Sequence, residues 1–151
     1  MKYNRYNTPD NIWSGATDPV LAALTSSTDV AQRKGRLQQS IPVRDTRGRT
    51  WPSASAAFAA FKTGALDKDV VILGKILRAR FEQHPWLAQA VAERGGADYL
   101  RGCSHIVGAY QSDWEGVGLE SPFIQALLSG YEEHLTVEPA DAKSIRGGRF
   151  D

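Results

Sequence analysis

The residues able to do chemistry in this chain of 151 residues are few, and they are unevenly placed. From Arg33 to Arg49 there are six basic residues (Arg33, Lys34, Arg36, Arg44, Arg47, Arg49) against one acid, Asp45. Arginine offers paired N–H donors that match phosphate oxygens, so this stretch is either a phosphate-holding surface or a solvated basic face. Trp13, Trp51, Trp86 and Trp114 offer flat faces on which purine, nicotinamide or flavin-like rings stack. Trp86 falls in a helical pattern and is expected in the core. Trp51 ends a strand and Trp114 sits in a glycine-rich loop, which makes these two the platform candidates.

Cys103 and His105 could act as nucleophile and base, being two apart on an extended segment. A buried, inert thiol is the stronger expectation. His84, His105 and His134 share no metal-ligand spacing, and no HxH, HExxH or CxxC occurs, so no metal site is expected. His84, beside Pro85, is expected to cap a helix end and meet its last carbonyls. No glycine-rich phosphate loop fits a P-loop or a dinucleotide fingerprint.

The elements that must position these residues are mostly helices. Residues 1–16 show no helical period and read as an irregular arm with at most one short strand. Thr17 or Asp18 caps a short helix with Pro19 just inside it, and a helical turn is expected around Asp29–Val30. Ile41–Trp51 reads as a hairpin turning at Asp45–Gly48. Ser53 caps a helix over Ala54–Lys62, on which Phe58 and Phe61 share a face that should be buried. Asp67 is expected to cap the clearest helix, with Val70, Leu73, Leu77 and Phe81 at helical spacing, ending near Gln83. Pro85 starts another, closed by Gly95–Gly96, and Ala97–Leu100 reads as a short helical segment. Cys103–Gly118 lacks a period, as binding loops often do. Ser121 caps a last helix with Pro122 at its first position.

Composition sets the frame. Hydrophobic residues at 42% and charged residues at 23% are ordinary globular values. A net charge of +1 gives no overall pull toward nucleic acid or anionic membrane. One cysteine excludes an intrachain disulfide. No run approaches the length of a membrane span, no signal peptide is evident, and a cytoplasmic location is expected. The fold class expected is a helix-rich α+β single domain over residues 1–136, with residues 137–151 as a loosely attached tail.

Three segments together resemble the NADAR (YbiA-like) family. "GRTWPSASAAFAAFK" is similar to the family's hairpin leading into Trp-Pro-(Thr/Ser) and a helix with Glu-His-Tyr-Phe and a lysine. "ILRARFEQHPWLAQAV", Ile76 to Val91, is similar to its next helix pair. The Asp113–Trp114 loop and the helix from Ser121 are similar to its Asp…Trp-Gly segment and final helix. The resemblance covers roughly Ile41 to Leu135. It implies a NADAR-like α+β fold and hydrolysis of N-glycosidic bonds in ADP-ribose-type or phosphoribosyl compounds, without a cofactor. It implies a small-molecule or nucleobase-linked partner, with nucleic acid entering only as carrier of a modified base.

The sequence departs from that pattern at its reactive centre. The family's glutamate, histidine and tyrosine become Ser55, Ala56 and Ala57, while Phe58 and Lys62 match. Serine cannot serve as a carboxylate at neutral pH. Two readings follow. Either a substitute carboxylate acts, with Asp113 and Glu115 the candidates, Glu120 next and Glu82 structural. Or catalysis is lost and the domain binds an ADP-ribose-like nucleotide as a sensor, sponge or antitoxin-type partner. In both, the expected pocket is lined by Trp51, Ser55, Lys62 and Trp114, with Arg44, Arg47 and Arg49 at its phosphate end. A purely nucleic-acid-binding domain would rest on the Arg33–Arg49 cluster alone.

Overall fold

The computed structural model describes residues 4–6, 8, 10–108 and 112–136. The tail 137–151 lies outside the described residues. The N-terminal arm, though irregular, is tied into the domain by its amides. Asn11 exchanges hydrogen bonds with the main chain of Ile106, at 2.8 Å in each direction, and Ile12 N donates to Ser104 O at 2.8 Å. Ile12 is fully buried as a result.

Helix α1, Pro19–Leu24, starts where the local signals require: Asp18 accepts from Val20 N, and Pro19 occupies the first position. Helix α2 is Thr28–Arg33. Strands β1 (Val43–Arg44) and β2 (Thr50–Trp51) pair antiparallel, Val43 opposite Trp51 and Arg44 opposite Thr50. The predicted hairpin is therefore present but its ladder is only two residues long on each side. Gln83 extends it from outside. Its side chain accepts from Arg44 N at 2.7 Å and donates to Arg44 O at 2.8 Å, standing in for a further strand.

Helix α3 is Ala54–Phe61, capped by Ser53, whose hydroxyl accepts from Ala56 N at 3.1 Å. Helix α4, Leu66–Gln83, corrects one expectation: Asp67 does not cap it. Asp69 does the corresponding work from inside the first turn. Its carboxylate accepts from Thr63 N, Thr63 Oγ1 and Gly64 N, folding the α3–α4 connection back onto the helix. Those amide bonds hold its pKa below the ordinary aspartate value against the opposing pull of desolvation.

Helices α5 (Pro85–Glu93) and α6 (Ala97–Gly102) follow. Strands β3 (Ser104–His105) and β4 (Gly116–Val117) make a second antiparallel pair that the glycine-rich composition had hidden. A 3-10 turn, Gly118–Glu120, leads to α7, Pro122–Thr136. Ser121 Oγ accepts from Ile124 N there, as the capping signal predicts.

The core is centred on α4 and α7. Leu73, Ile76, Leu77 and Phe81 are buried on α4, against Phe123, Ile124, Leu127 and Tyr131 on α7. Val70, expected on the same buried face, is only half-buried. Gly130 makes that crossing possible: a Cβ there would sit 2.8 Å from both Gly74 O and Arg78 N. The result is a single helix-rich α+β domain with two small antiparallel sheets. Among the described residues, no helix is long and apolar enough to cross a membrane.

Candidate ligand-binding site

The β1–β2 turn builds the site around one acid. Asp45 is 4% exposed in the middle of the basic run. Its Oδ1 accepts from Arg47 N at 3.0 Å and Arg49 N at 2.9 Å, and its Oδ2 accepts from Trp51 Nε1 at 3.2 Å. Asp45 N also donates to Arg49 O, closing the turn. The carboxylate thus folds the turn, turns both arginine side chains outward and sets the plane of the indole.

A cavity of about 670 Å³ opens beneath this turn, lined by Asp45, Thr46, Arg47, Arg49, Trp51, Ala60 and Phe61. Trp51 meets Phe61 edge-on at 5.9 Å between ring centroids. The Arg49 guanidinium lies over the Trp51 ring at 4.9 Å, and both arginines are exposed. Cationic forks beside an aromatic wall can hold a phosphate and a ring together.

Of the residues expected to form one pocket, Arg47, Arg49 and Trp51 are brought together here. Arg44, Ser55, Lys62 and Trp114 are not part of this lining. Arg44 is exposed on β1, and Lys62 is exposed at the C-terminal cap of α3. Trp114 packs edge-on against Phe58 at 5.3 Å, while its carbonyl accepts from Ser121 Oγ at 2.6 Å. Phe58 and Phe61 are therefore half-buried rather than buried, each covered by a tryptophan from a different segment.

The alanine-rich start of α3 has a physical explanation. Ala54 and Ala57 are fully buried, and Ser55 N donates to Ser26 O at 2.8 Å. Small side chains let the α1–α2 connection lie close to this helix end. Below it, Arg80, fully buried on α4, donates to Leu24 O at 2.7 Å and to Thr25 O. Desolvation lowers its pKa to about 9, which leaves it charged at neutral pH. Its Nε has no partner among the described residues. The cation faces the carbonyl end of α1, where a helix dipole is negative.

The candidate carboxylates divide. Glu115 accepts from Val107 N at 2.5 Å, Ser112 N at 2.9 Å and Gly108 N at 3.4 Å, so one carboxylate ties Val107 and Gly108 to Ser112. Desolvation pulls its pKa up, but these amide bonds outweigh it and the pKa is lowered. Asp113 is exposed next to Trp114, and Glu120 is exposed in the 3-10 turn. Glu82 accepts from His134 Nδ1 at 2.7 Å, a structural pairing of α4 with α7.

Cys103 and His105 do not pair. Cys103 is buried and its Sγ donates to Tyr99 O, with burial pushing the thiol up to about 12. His105 donates from Nδ1 to Ile12 O at 2.7 Å and stacks on Phe123, and burial lowers its pKa. His84 caps α4 as expected, its main-chain N–H donating to Arg80 O at 2.9 Å, while its ring donates to Pro42 O at 2.6 Å. Trp86 is not in the core but 41% exposed, because the Pro85 start of α5 places it on the outer side. Among the described residues, no three His, Cys, Asp or Glu side chains gather as a metal would need.

Asp45 and Phe61 are the cavity contributors that residue types alone did not single out. A lone acid opening a turn in a basic run is the signal that would have found Asp45. No family model matches the chain, and no curated protein or solved structure matches it significantly.

Proposed function

We propose that this chain is a nucleotide-binding module of NADAR-like fold that holds an ADP-ribose-type ligand in the cavity under the β1–β2 turn. The observation that carries the reading is the commitment of Asp45. It is the one carboxylate among the described lining residues, and it is spent on Trp51 and on two main-chain amides. What the cavity offers is cations and aromatic rings, which bind, and no spare carboxylate to activate water. The ligand class rests on the resemblance of the Trp51–Lys62 and Ile76–Val91 segments. Arg47 and Arg49 take the phosphates, and Trp51 with Phe61 takes the ring.

A hydrolytic reading rests on Asp113, the exposed carboxylate beside Trp114. One paired assay separates the two. The protein is titrated with ADP-ribose by calorimetry, and incubated with ADP-ribosylated guanosine while released base is followed by chromatography. The binding reading expects saturable heat and base release at the uncatalysed rate. Base release far above that rate, abolished by Asp113→Asn, overturns it in favour of hydrolysis.

A further inference from the structure

We infer that the surface from Trp13 across Lys34 and Arg36 to Trp86 is a docking track for single-stranded nucleic acid. It shares no residue with the cavity at Trp51 and does not rest on the function proposed for that cavity. Lys34 Nζ lies 5.2 Å from the Trp13 ring centroid, and the Arg5 guanidinium lies 5.1 Å from the same ring. One residue past Gly35, Arg36 lines a second cleft of about 830 Å³ together with Trp86. Lys34–Gly35–Arg36 thus meets one tryptophan from the arm, Trp13, and shares a cleft with one from α5, Trp86. Arg33 adds a further exposed cation at the end of α2, with Asp29 at 3.9 Å its acidic neighbour.

Alternating cations and aromatic faces match a polymer that alternates phosphates with unpaired bases. A duplex hides its base faces, and a peptide carries no regular anions. The cations now resting on Trp13 are placed to exchange: a base takes the ring face, and the cation moves to the adjoining phosphate. The exchange gives up the cation–π contact and the Lys34 Nζ–Ser14 Oγ hydrogen bond at 2.7 Å and gains a base–indole stack. The overall charge of +1 does not oppose this, because screening limits what the track feels to charges within about 8–10 Å.

The test is fluorescence anisotropy with the full chain and a fluorescein-labelled oligothymidine of about 20 nucleotides, from about 50 to about 200 mM salt. Native protein is expected to bind, with affinity falling as salt rises. Lys34→Ala/Arg36→Ala should weaken binding by about tenfold or more at low salt and flatten the log–log salt slope by about 1.4, at about 0.7 per phosphate. Trp86→Ala should weaken binding with the slope unchanged, which a purely electrostatic patch would not do. The substituted residues are all exposed, and thermal melts check that the variants fold. No binding at low salt, equal binding by the variants, or equal affinity for a duplex of the same length would each overturn the proposal. Binding to anionic lipid vesicles without any to the oligonucleotide would overturn it too.

Discussion

The Trp51 indole N–H donates to Asp45 Oδ2 across the β1–β2 turn, while Asp45 Oδ1 holds the amides of Arg47 and Arg49. One buried side chain thereby sets both the aromatic wall and the backbone that carries the two arginines. Asp45→Ala removes the acceptor from all three donors. The expected cost is about 1–3 kcal/mol of stability, read from denaturant melts. Trp51 should become more mobile, and ADP-ribose binding should weaken in parallel. An Asp45→Ala protein with unchanged stability would show that the turn is held by something else.

Helix α4 is the load-carrying element of the core, and Leu77 is fully buried within it. Leu77→Ala should cost roughly 2–5 kcal/mol, as cavity-forming substitutions do. Chemical denaturation measures it directly. A loss well under 1 kcal/mol would mean that the α4–α7 packing is wrong.

Gly130 gives a sharper test of the same crossing. A methyl group there meets main-chain atoms of α4 at 2.8 Å, and backbone cannot swing aside as a side chain can. Gly130→Ala, normally favourable in a helix, should instead destabilise by about 1–3 kcal/mol. An increase in melting temperature would contradict the crossing.

Glu115 connects pH to the loop before it. Its folded-state pKa is lowered from the ordinary 4.5, with desolvation overcome by the amide bonds from Val107, Ser112 and Gly108. A lowered carboxylate pKa means stability fully present above the unfolded value and lost as pH falls through the folded one. The stability difference between native protein and Glu115→Gln should therefore be largest near neutrality and shrink once pH drops below the ordinary glutamate range. A difference that grows with acid would have the wrong sign.

Local signals were legible and long-range ones were not. Asp18–Pro19, Ser53 and Ser121–Pro122 mark helix starts within three residues of the bonds they make, so sequence alone places them. Leu73, Leu77 and Phe81 announce their face by spacing. Arg80 meets the carbonyls of Leu24 and Thr25 from 56 and 55 residues away, and Asn11 meets Ile106 from 95 away. Nothing local encodes such partners. Asp67 looked like the cap of α4 because it is an acid at a helix start. Asp69, two residues later, took the work because Thr63 and Gly64 fold back over it. Trp86 shows the opposite failure, an aromatic residue in a helical pattern that faces outward.

Ser55 is half-buried in the first turn of α3, where the NADAR pattern carries a glutamate. A carboxylate near a helix N-terminus is favoured electrostatically, so Ser55→Glu should fold. Because Ser55 lies outside the lining of the cavity under the β1–β2 turn, base release from ADP-ribosylated guanosine should stay at the background rate in this variant as in the native protein. General acid–base groups typically contribute about 10²–10⁴-fold. Release well above the native rate would place the ligand's ribose beside Ser55 and contradict the cavity assignment.

The central claim, that Arg47 and Arg49 hold the phosphates of a nucleotide beside Trp51, is tested most directly by calorimetric titration with ADP-ribose. Native protein, Arg47→Ala and Arg49→Ala are compared at low and high salt. The account predicts a saturable heat for the native chain that weakens as salt rises. It predicts affinities lowered by about tenfold in each variant, the equivalent of about 1.4 kcal/mol for a lost charged hydrogen bond. Identical affinities in all three proteins, or no heat from the native chain, would contradict it.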